Sequence, residues 1–382
     1  MKIVIAMDSF KGSLSSLQAG QAAAQGALRA APGAGVAVRP LADGGEGTVR
    51  ALTEGLQGTL RRVTVTGPLG EAVEGCYGIL PDGRTAVLEM AQAAGLTLVP
   101  PERRDPLHTT TYGVGQLIRD AIGQGCRRFI VGIGGSATND GGAGMLQALG
   151  YGLLDKDGRP IAPGAAGLAG LCTITADGVL PELAQCRFRI ACDVTNPLCG
   201  PQGCSAVFGP QKGAAPTDIP RMDGWLAHYA ALAQRSCPGP VDPDCPGAGA
   251  AGGLGFAFLA FTRAELASGI DIVLAETHLA DWVRDADLVL TGEGQLDAQT
   301  AMGKAPVGVA RLAKRYGKPV IAFAGGIAPG AGACHEAGID AFFPAVRGVC
   351  TLEQAMQPAN ARRNLADAVE QAVRLWCAAR SR

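Results

Sequence analysis

The sequence has few histidines, no long apolar run and almost no net charge, and each shortage argues against a class of function. With only four histidines in 382 residues, none of them in the polar motifs described below, carboxylates would have to supply any catalytic base. The longest apolar run, 254–261, is far too short to span a bilayer. A formal net charge of −1 without a basic stripe argues against nucleic acid as a main partner.

The cysteines give no sign of a metal site or a disulfide framework. None of the twelve belongs to a C-x-x-C pair, and the closest cluster, Cys192, Cys199 and Cys204, lacks zinc-site spacing. The first apolar run, 3–7, is too short for a signal peptide. We therefore expect a cytoplasmic protein with reduced thiols and no membrane partner. The sequence leaves a homodimer and a monomer both open.

The common nucleotide-binding signatures are also missing. Lys304 follows a glycine, but Ala305 stands where a P-loop needs serine or threonine. The glycines at 132–135 lack the later glycine of the dinucleotide fingerprint. Neither a protein-kinase catalytic loop nor a serine nucleophile elbow is present. Any function must therefore be derived from other polar segments.

One stretch, 128–144, combines an apolar β-branched run, a glycine-rich loop and the start of a helix. This layout exposes backbone N–H groups to an anion. The alternative is a tight turn in which glycine only relieves steric strain. We favour a phosphate site because four polar residues lie between the paired glycines; the loop reads Gly134, Gly135, Ser136, Ala137, Thr138, Asn139, Asp140, Gly141, Gly142.

The alternation of segments predicts two domains. The first and last thirds alternate strand and helix, which is typical of a parallel doubly wound sheet, whereas strands follow one another in the middle. We predict an α/β domain, 1–64 and 285–382, interrupted by a mixed-sheet α/β domain, 65–284. Four local expectations are a strand Leu168–Ala176, a linker or loop over the cleft at 238–255, a helix at 263–268 capped by Thr262, and a strand ending at Leu290.

Acidic residues follow several predicted strands, where open parallel sheets bind their ligands. A single aspartate after a strand is usually a turn or helix cap, but a series of them is harder to explain in that way. Gathered together they would repel one another and need cations, which Mg²⁺, Lys11 and Lys304 could supply. These acidic residues are Asp8, Asp43, Asp140, Asp193 and Glu293.

Such a site suits phosphoryl transfer, which needs positive charge on the moving group and a base at the acceptor hydroxyl. Lys11 fits the first need, although a solvated surface lysine is an equal alternative. Asp8 and Asp193 are both candidates for the base. Three threonines, Thr109–Thr111, lie at the start of a predicted helix, where their hydroxyls could cap the helix or bind an anion, and we favour capping.

Five motifs, taken together, resemble the bacterial glycerate kinases of the type I family over essentially the whole chain. They occur in the order Asp8-Ser9-Phe10-Lys11, Ala42-Asp43-Gly44-Gly45-Glu46-Gly47-Thr48, Gly134 to Gly142, Asp193-Val194-Thr195-Asn196-Pro197-Leu198 and Thr291-Gly292-Glu293-Gly294.

The resemblance implies ATP-dependent, Mg²⁺-dependent phosphorylation of D-glycerate to 2- or 3-phosphoglycerate. It also implies a flavodoxin-like domain interrupted by a second α/β domain, with the active site in the cleft between them. By this resemblance we assign catalysis to Lys11, Asp193 and Asp8, metal binding to Asp43 and Asp193, and substrate or phosphate contacts to Ser9, Asp43, Gly44, Gly45, Glu46, Gly134, Gly135, Ser136, Thr138, Asn139, Asp140, Asn196 and Glu293.

Three positions depart from the family pattern: Met7 replaces a common proline, Gln295 a common arginine and Asp105 a common asparagine. Because a cation is lost at 295, we assign no phosphate role to that position. None of the three is among the assigned catalytic residues.

The sequence does not choose the phosphorylated hydroxyl, because that depends on how the glycerate carboxylate is held. Arg39, Arg104 and the threonines at 109–111 are unranked candidates for that clamp. Two other functions stay open: a kinase for another small hydroxy acid or sugar acid, and a non-catalytic protein that binds a nucleotide or another ligand.

Overall fold

The structure, a computed structural model, describes residues 1–42, 45, 47–237 and 242–380. The strands are β1 (Lys2–Met7), β2 (Gly35–Pro40), β3 (Thr59–Thr66), β4 (Ala72–Ile79), β5 (Thr85–Glu89), β6 (Arg128–Gly132), β7 (Gly152–Leu154), β8 (Thr173–Thr175), β9 (Arg187–Ala191), β10 (Ala264–Ala267), β11 (Leu288–Leu296), β12 (Val320–Ile327) and β13 (Ala341–Pro344).

The helices are α1 (Ser16–Ala30), α2 (Thr48–Gly55), α3 (Ala91–Ala94), α4 (Tyr112–Gly123), α5 (Ala143–Ala148), α6 (Cys204–Phe208), α7 (Ile219–Ser236), α8 (Ala250–Phe261), α9 (Gly269–Glu276), α10 (Leu279–Arg284), α11 (Ala298–Ala301), α12 (Ala305–Arg315), α13 (Ala333–Glu336), α14 (Leu352–Met356) and α15 (Pro358–Arg380). Among these described helices, none is long and apolar enough to cross a membrane.

The chain divides into two compact units, each with its own sheet and hydrophobic core. Unit 1 comprises 1–43, 50–56 and 270–382, and unit 2 comprises 44–49 and 57–269. The domain boundaries derived from the sequence, and an active site in a cleft between domains, stay predictions.

Unit 1 is built on a parallel sheet in the order β13-β12-β11-β1-β2. This is the strand order of the flavodoxin-like fold, in which the chain moves to one side of the first strand and then to the other. The central run Ile3–Met7 is completely buried, as expected for a strand covered on both faces. The predicted parallel-sheet domain is therefore confirmed, and its switch point lies between β1 and β11.

Unit 2 is built on a six-stranded mixed sheet in the order β10-β9-β6-β5-β4-β3. The strands β5, β6, β9 and β10 pair in parallel, and β3, β4 and β5 pair antiparallel. Phe129 on β6 stacks on Phe188 of β9, with ring centroids 4.7 Å apart, in the core of the unit. The predicted mixed-sheet domain is confirmed.

Two local predictions in unit 2 are wrong. The segment predicted as a helix at 263–268 contains β10, because Thr262 belongs to the end of the preceding helix: its hydroxyl donates to the Phe258 carbonyl at 2.6 Å. The predicted strand Leu168–Ala176 is strand only at β8. Its first part is a 3₁₀ helix, Ala165–Gly170, where a Cβ on Gly167 would lie 1.8 Å from the carbonyl of Ala162.

Two further predictions need correction. Of the predicted linker or loop at 238–255, residues 238–241 lie outside the described residues, and the part from 250 onward is the start of α8 and largely buried. The strand expected to end at Leu290 continues to Leu296. It continues because β12 runs beside it, with Glu293 opposite Ala324 and Gln295 opposite Gly326.

Candidate active site

Two buried carboxylates lie at the switch point of unit 1. Asp8 follows β1, is 7% exposed and accepts the N–H of Ser9 at 2.7 Å. Glu293, in β11, is 8% exposed and accepts the Thr300 hydroxyl at 2.6 Å. Because β1 and β11 pair in parallel, their side chains lie at the same edge of the sheet.

A cavity of about 410 Å³ lies at this edge, and residues of unit 1 line it. Lys11 and Lys304, both suggested by the sequence as cations, line it, and the Nζ of Lys304 lies 3.8 Å from Oδ1 of Asp297. The cavity therefore combines two cations with carboxylates. The predicted site residues that line it are Asp8, Ser9, Lys11 and Glu293.

Asp297 is a residue of this cavity that the sequence analysis missed. Asp297 caps the start of α11 by two reciprocal hydrogen bonds. Its carboxylate accepts the N–H of Thr300 at 3.0 Å, and the hydroxyl oxygen of Thr300 accepts the N–H of Asp297 at 3.1 Å. Burial acts to raise the pKa of Asp297, but the Thr300 N–H and the ammonium of Lys304 outweigh it and hold the pKa below its usual value. The Asp-x-x-Thr spacing is a capping signal that could have drawn attention to it.

Of the three departures from the family pattern, Gln295 lines the cavity. Met7 is completely buried in the core of unit 1, and Asp105 bonds to the backbone and imidazole two and three residues further on. The clamp candidate Arg39 stacks its guanidinium over the ring of Trp282, 3.6 Å from the centroid, and burial lowers its pKa. A role of Arg39 in holding the glycerate carboxylate stays a prediction.

The glycine loop after β6 in unit 2 divides into an outer and an inner part. Gly134 and Gly135 are exposed, whereas Thr138, Asn139 and Asp140 are completely buried. Gly134 has no left-handed backbone, and a Cβ there would meet nothing within 4 Å. Neither backbone strain nor packing therefore requires glycine at 134, and its role in binding a ligand stays a prediction.

The carboxylate of Asp140 accepts hydrogen bonds from groups of the protein itself. It accepts the N–H and the hydroxyl of Thr111 at 2.9 and 2.8 Å, and the N–H groups of Gly142 and Gly144 at 3.1 and 3.2 Å. Burial raises its pKa, although these hydrogen bonds oppose the change. The Thr111 hydroxyl also accepts the N–H of Met145, so it joins the loop to the start of α4 without capping that helix. The Thr110 hydroxyl instead accepts the N–H of Tyr112, the first residue of α4, at 3.2 Å.

Lys212 is a buried cation that no sequence pattern singles out, since lysines usually lie on the surface. It is 2% exposed, and its Nζ donates to the carbonyl of Thr138 at 2.7 Å. Burial lowers the pKa of Lys212 to about 8, against the opposing effect of Cys204 and Asp140. This lysine therefore holds the inner part of the glycine loop.

A second glycine-rich segment, 247–255, packs against the same loop. The N–H of Gly141 donates to the Gly252 carbonyl at 2.9 Å. Gly252 has a φ of +67°, and a Cβ on it would lie 2.0 Å from the Thr138 carbonyl. The neighbouring Ala251 also has a positive φ, of 53°, which is strained for a residue with a side chain. This part of the segment is therefore a support for the glycine loop.

The carboxyl ends of β5 and β9 supply further polar groups. Asp193 is exposed, and its Oδ1 accepts the N–H of Gly269 at 3.1 Å. Asn196 donates to the carbonyl of Gln202 at 2.8 Å. Glu89, which the sequence analysis missed, is 4% exposed and accepts the N–H of Val49 at 2.8 Å. The parallel sheet thus brings Asp193 and the glycine loop to one edge of unit 2.

Part of the second motif cannot be placed. Asp43, Gly44 and Glu46, all assigned from the resemblance, lie outside the described residues. Gly45 is described, and its carbonyl accepts the Thr48 hydroxyl at 2.8 Å. Within the described ranges, no group of three or more histidine, cysteine or acidic side chains could hold a metal ion.

These features define an α/β protein in which charged or glycine-rich segments follow the carboxyl ends of parallel strands in both sheets. Comparison with known proteins agrees. The chain is 50% identical to a glycerate kinase of Bacillus subtilis (strain 168) over 94% of each chain. It is 49% identical to glycerate 2-kinase of Escherichia coli (strain K12), over 96% of this chain and 97% of that one.

A solved structure is similar as well. The crystal structure of a Salmonella typhimurium LT2 protein described as glycerate kinase 2 superposes over 100% of both chains, with a TM-score of 0.93 and 49% identity. The model of the glycerate kinase family matches residues 3–377. The chain belongs to the glycerate kinase family.

Gly134→Ala should separate a ligand-binding role from a structural one. Since a Cβ at 134 meets only open space, we expect the free energy of unfolding to change by less than ~0.5 kcal/mol, while the KM for one substrate rises roughly tenfold. Gly252→Ala is the matched comparison and should lose ~1–3 kcal/mol of stability. Urea unfolding and steady-state kinetics measure both, and unchanged KM values for Gly134→Ala would contradict the ligand role.

Burial of Lys212 predicts a specific pH dependence. The pKa of Lys212 falls from 10.5 in the unfolded chain to about 8 in the folded protein. The cost of burying the charged ammonium therefore lowers the free energy of unfolding by its full amount below pH 8, and this loss disappears as the pH rises to 10.5. Relative to Lys212→Met, the wild type should gain on the order of 2 kcal/mol between pH 7.5 and 9.5. Urea unfolding at both pH values measures this gain, with Lys156→Met, at an exposed site, as control. Parallel pH profiles for wild type and Lys212→Met would rule out the shift.

Proposed function

We propose that this protein transfers the γ-phosphoryl group of ATP to the 2-hydroxyl of D-glycerate and is a type I member of its family. Glycerate kinase activity follows from family membership and from about 50% identity to glycerate kinases over nearly the whole chain. The choice of the 2-hydroxyl is supported by the E. coli relative named glycerate 2-kinase. A cytoplasmic location and the choice between homodimer and monomer stay predictions.

The observation that carries this proposal is that Lys11 and Asp8 both line one cavity at the switch point of unit 1. Phosphoryl transfer is catalysed mainly by positioning and by cations that stabilise charge on the transferred group. The exposed ammonium of Lys11 would supply that charge. Asp8, three residues earlier and held by the N–H of Ser9, would accept the proton of the glycerate hydroxyl.

We assign a different role to Asp193, whose exposed carboxylate would bind Mg²⁺ together with the phosphates of ATP. Magnesium in nucleotide sites is usually held by one or two carboxylates, phosphate oxygens and water, so a single carboxylate of this kind fits. When bound, the ion neutralises phosphate charge. Asp43, the other predicted ligand, lies outside the described residues.

The glycine loop of unit 2 would bind phosphate through its outer part. Within this loop, Gly134 and Gly135 are exposed and Ser136 is 7% exposed. Since the two glycines have no side chains, their contacts with phosphate would come from backbone N–H groups. Thr138, Asn139 and Asp140 would act from inside, by fixing the shape of the loop. This replaces direct ligand contact, the role that the resemblance implied for these three residues.

The product identifies the hydroxyl. We would use an assay that contains enolase, pyruvate kinase and lactate dehydrogenase but no phosphoglycerate mutase. In this assay 2-phosphoglycerate is converted to pyruvate, and the reduction of pyruvate consumes NADH at once, whereas 3-phosphoglycerate is not converted. We expect immediate NADH oxidation with D-glycerate and MgATP. Oxidation that starts only after mutase is added would assign the 3-hydroxyl, and no glycerate-dependent ADP release at all would refute the kinase function.

Substitutions test the residue roles. We expect Lys11→Ala and Asp193→Asn each to lower kcat by roughly 10²–10⁴ while the melting temperature stays unchanged, because both side chains are exposed. Asp193→Asn should also raise the Mg²⁺ concentration needed for half-maximal rate, which Lys11→Ala should not. Lys156→Ala and Asp157→Asn, at exposed positions of a turn, are matched controls. Near-normal turnover in both test variants would refute the assignments.

A further inference from the structure

The cavity of unit 1 is larger than the acceptor substrate requires. Glycerate has seven heavy atoms, which would fill roughly 210 Å³ even if each took the space of a water molecule. The cavity holds about 410 Å³, within the ~300–1,000 Å³ typical of sites for larger organic ligands. Its size therefore fits a nucleoside better than a three-carbon acid.

Part of the cavity lining is apolar, and glycerate has no comparable apolar surface to pack against it. Leu352, Ala355 and Met356 of α14 all line it, at the i, i+3, i+4 spacing of one helix face. No residue of α14 is buried, and Leu352 is 76% exposed. Phe10 and Val346 continue the apolar lining. An apolar helix face turned to a cavity rather than to the core is suited to cover a flat, weakly polar ring.

The polar part of the lining comes from other elements. Lys11 follows β1, and Lys304 lies beside Asp297 just before α12. Ser13 also lines the cavity, and its Oγ is buried without a hydrogen-bond partner in the described structure. Two cations are suited to the phosphates of a nucleotide.

The position in the sheet agrees with this reading. Gly325 in β12 also lines the cavity, and a Cβ there would lie 2.7 Å from the Gly294 carbonyl of β11. These backbones therefore approach each other closely at the carboxyl ends of adjacent parallel strands. In open α/β sheets that edge, at the switch point, is where ligands bind.

We propose that this cavity binds the adenine nucleotide, with the base against Phe10 and α14 and the phosphates towards Lys11 and Lys304. The proposal rests on the proposed kinase function for the identity of the donor. It assigns the nucleoside to unit 1 and leaves the glycine loop of unit 2 to phosphate or glycerate.

Filling the apolar part of the cavity tests the proposal. Ala355→Phe should weaken binding of ADP at least tenfold in isothermal titration calorimetry with magnesium chloride present, and should change binding of tripolyphosphate less than twofold. In the kinase assay it should raise the KM for ATP and leave the KM for glycerate unchanged. Ala359→Phe, an exposed substitution of the same size that does not line the cavity, should change none of these values.

A second variant guards against misfolding. Leu352→Asp places a charge on the same lining at a 76% exposed position, where folding should be unaffected, and it should also weaken ADP more than tripolyphosphate. Equal weakening of both ligands, an unchanged affinity for ADP, or a raised KM for glycerate alone would overturn the proposal. A wild-type protein that makes no phosphoglycerate would refute the kinase function instead, and the ADP titration would still test the cavity.

Discussion

Parallel pairing brings the carboxyl ends of neighbouring strands to one edge of a sheet, and the candidate sites of both units depend on this constraint. In unit 1, Met7 of β1 pairs with Gly292 of β11. The residues that follow, Asp8 and Glu293, therefore line one cavity although about three quarters of the chain separates them. In unit 2, β6 and β9 pair in the same way and bring the glycine loop and Asp193 to one edge. Neither arrangement needs contact between residues close in sequence.

The glycine loop shows how buried charge can serve an exposed surface. Burying a carboxylate or an ammonium is unfavourable unless hydrogen bonds satisfy it. Asp140 has four such bonds, and Lys212 donates to the Thr138 carbonyl in the inner part of the loop. These inner contacts fix the backbone, so the N–H groups near Gly134 would be oriented before a ligand arrives. A loop fixed in this way loses little entropy on binding.

Sequence patterns predicted the elements best where local and tertiary preferences agree. The buried run 3–7 and the capping boxes at Ser15 and Thr351 are found as expected. The predicted helix at 263–268 failed because the capping pattern at Thr262 belongs to the end of α8, and because pairing with β9 makes the next residues a strand. Lys212 could not have been predicted, since no local pattern marks a lysine as buried.

The sequence by itself determined the chemistry at each strand end, the alternation of segments that defines an α/β protein, and the motif series that identifies the family. Only the tertiary structure decided which of those side chains can meet a ligand. It turned Asp140 inward, left Gly134 on the surface and placed the apolar face of α14 over a cavity. The reason is physical: local propensity depends on neighbours a few residues away, whereas burial depends on segments that meet only when the chain folds.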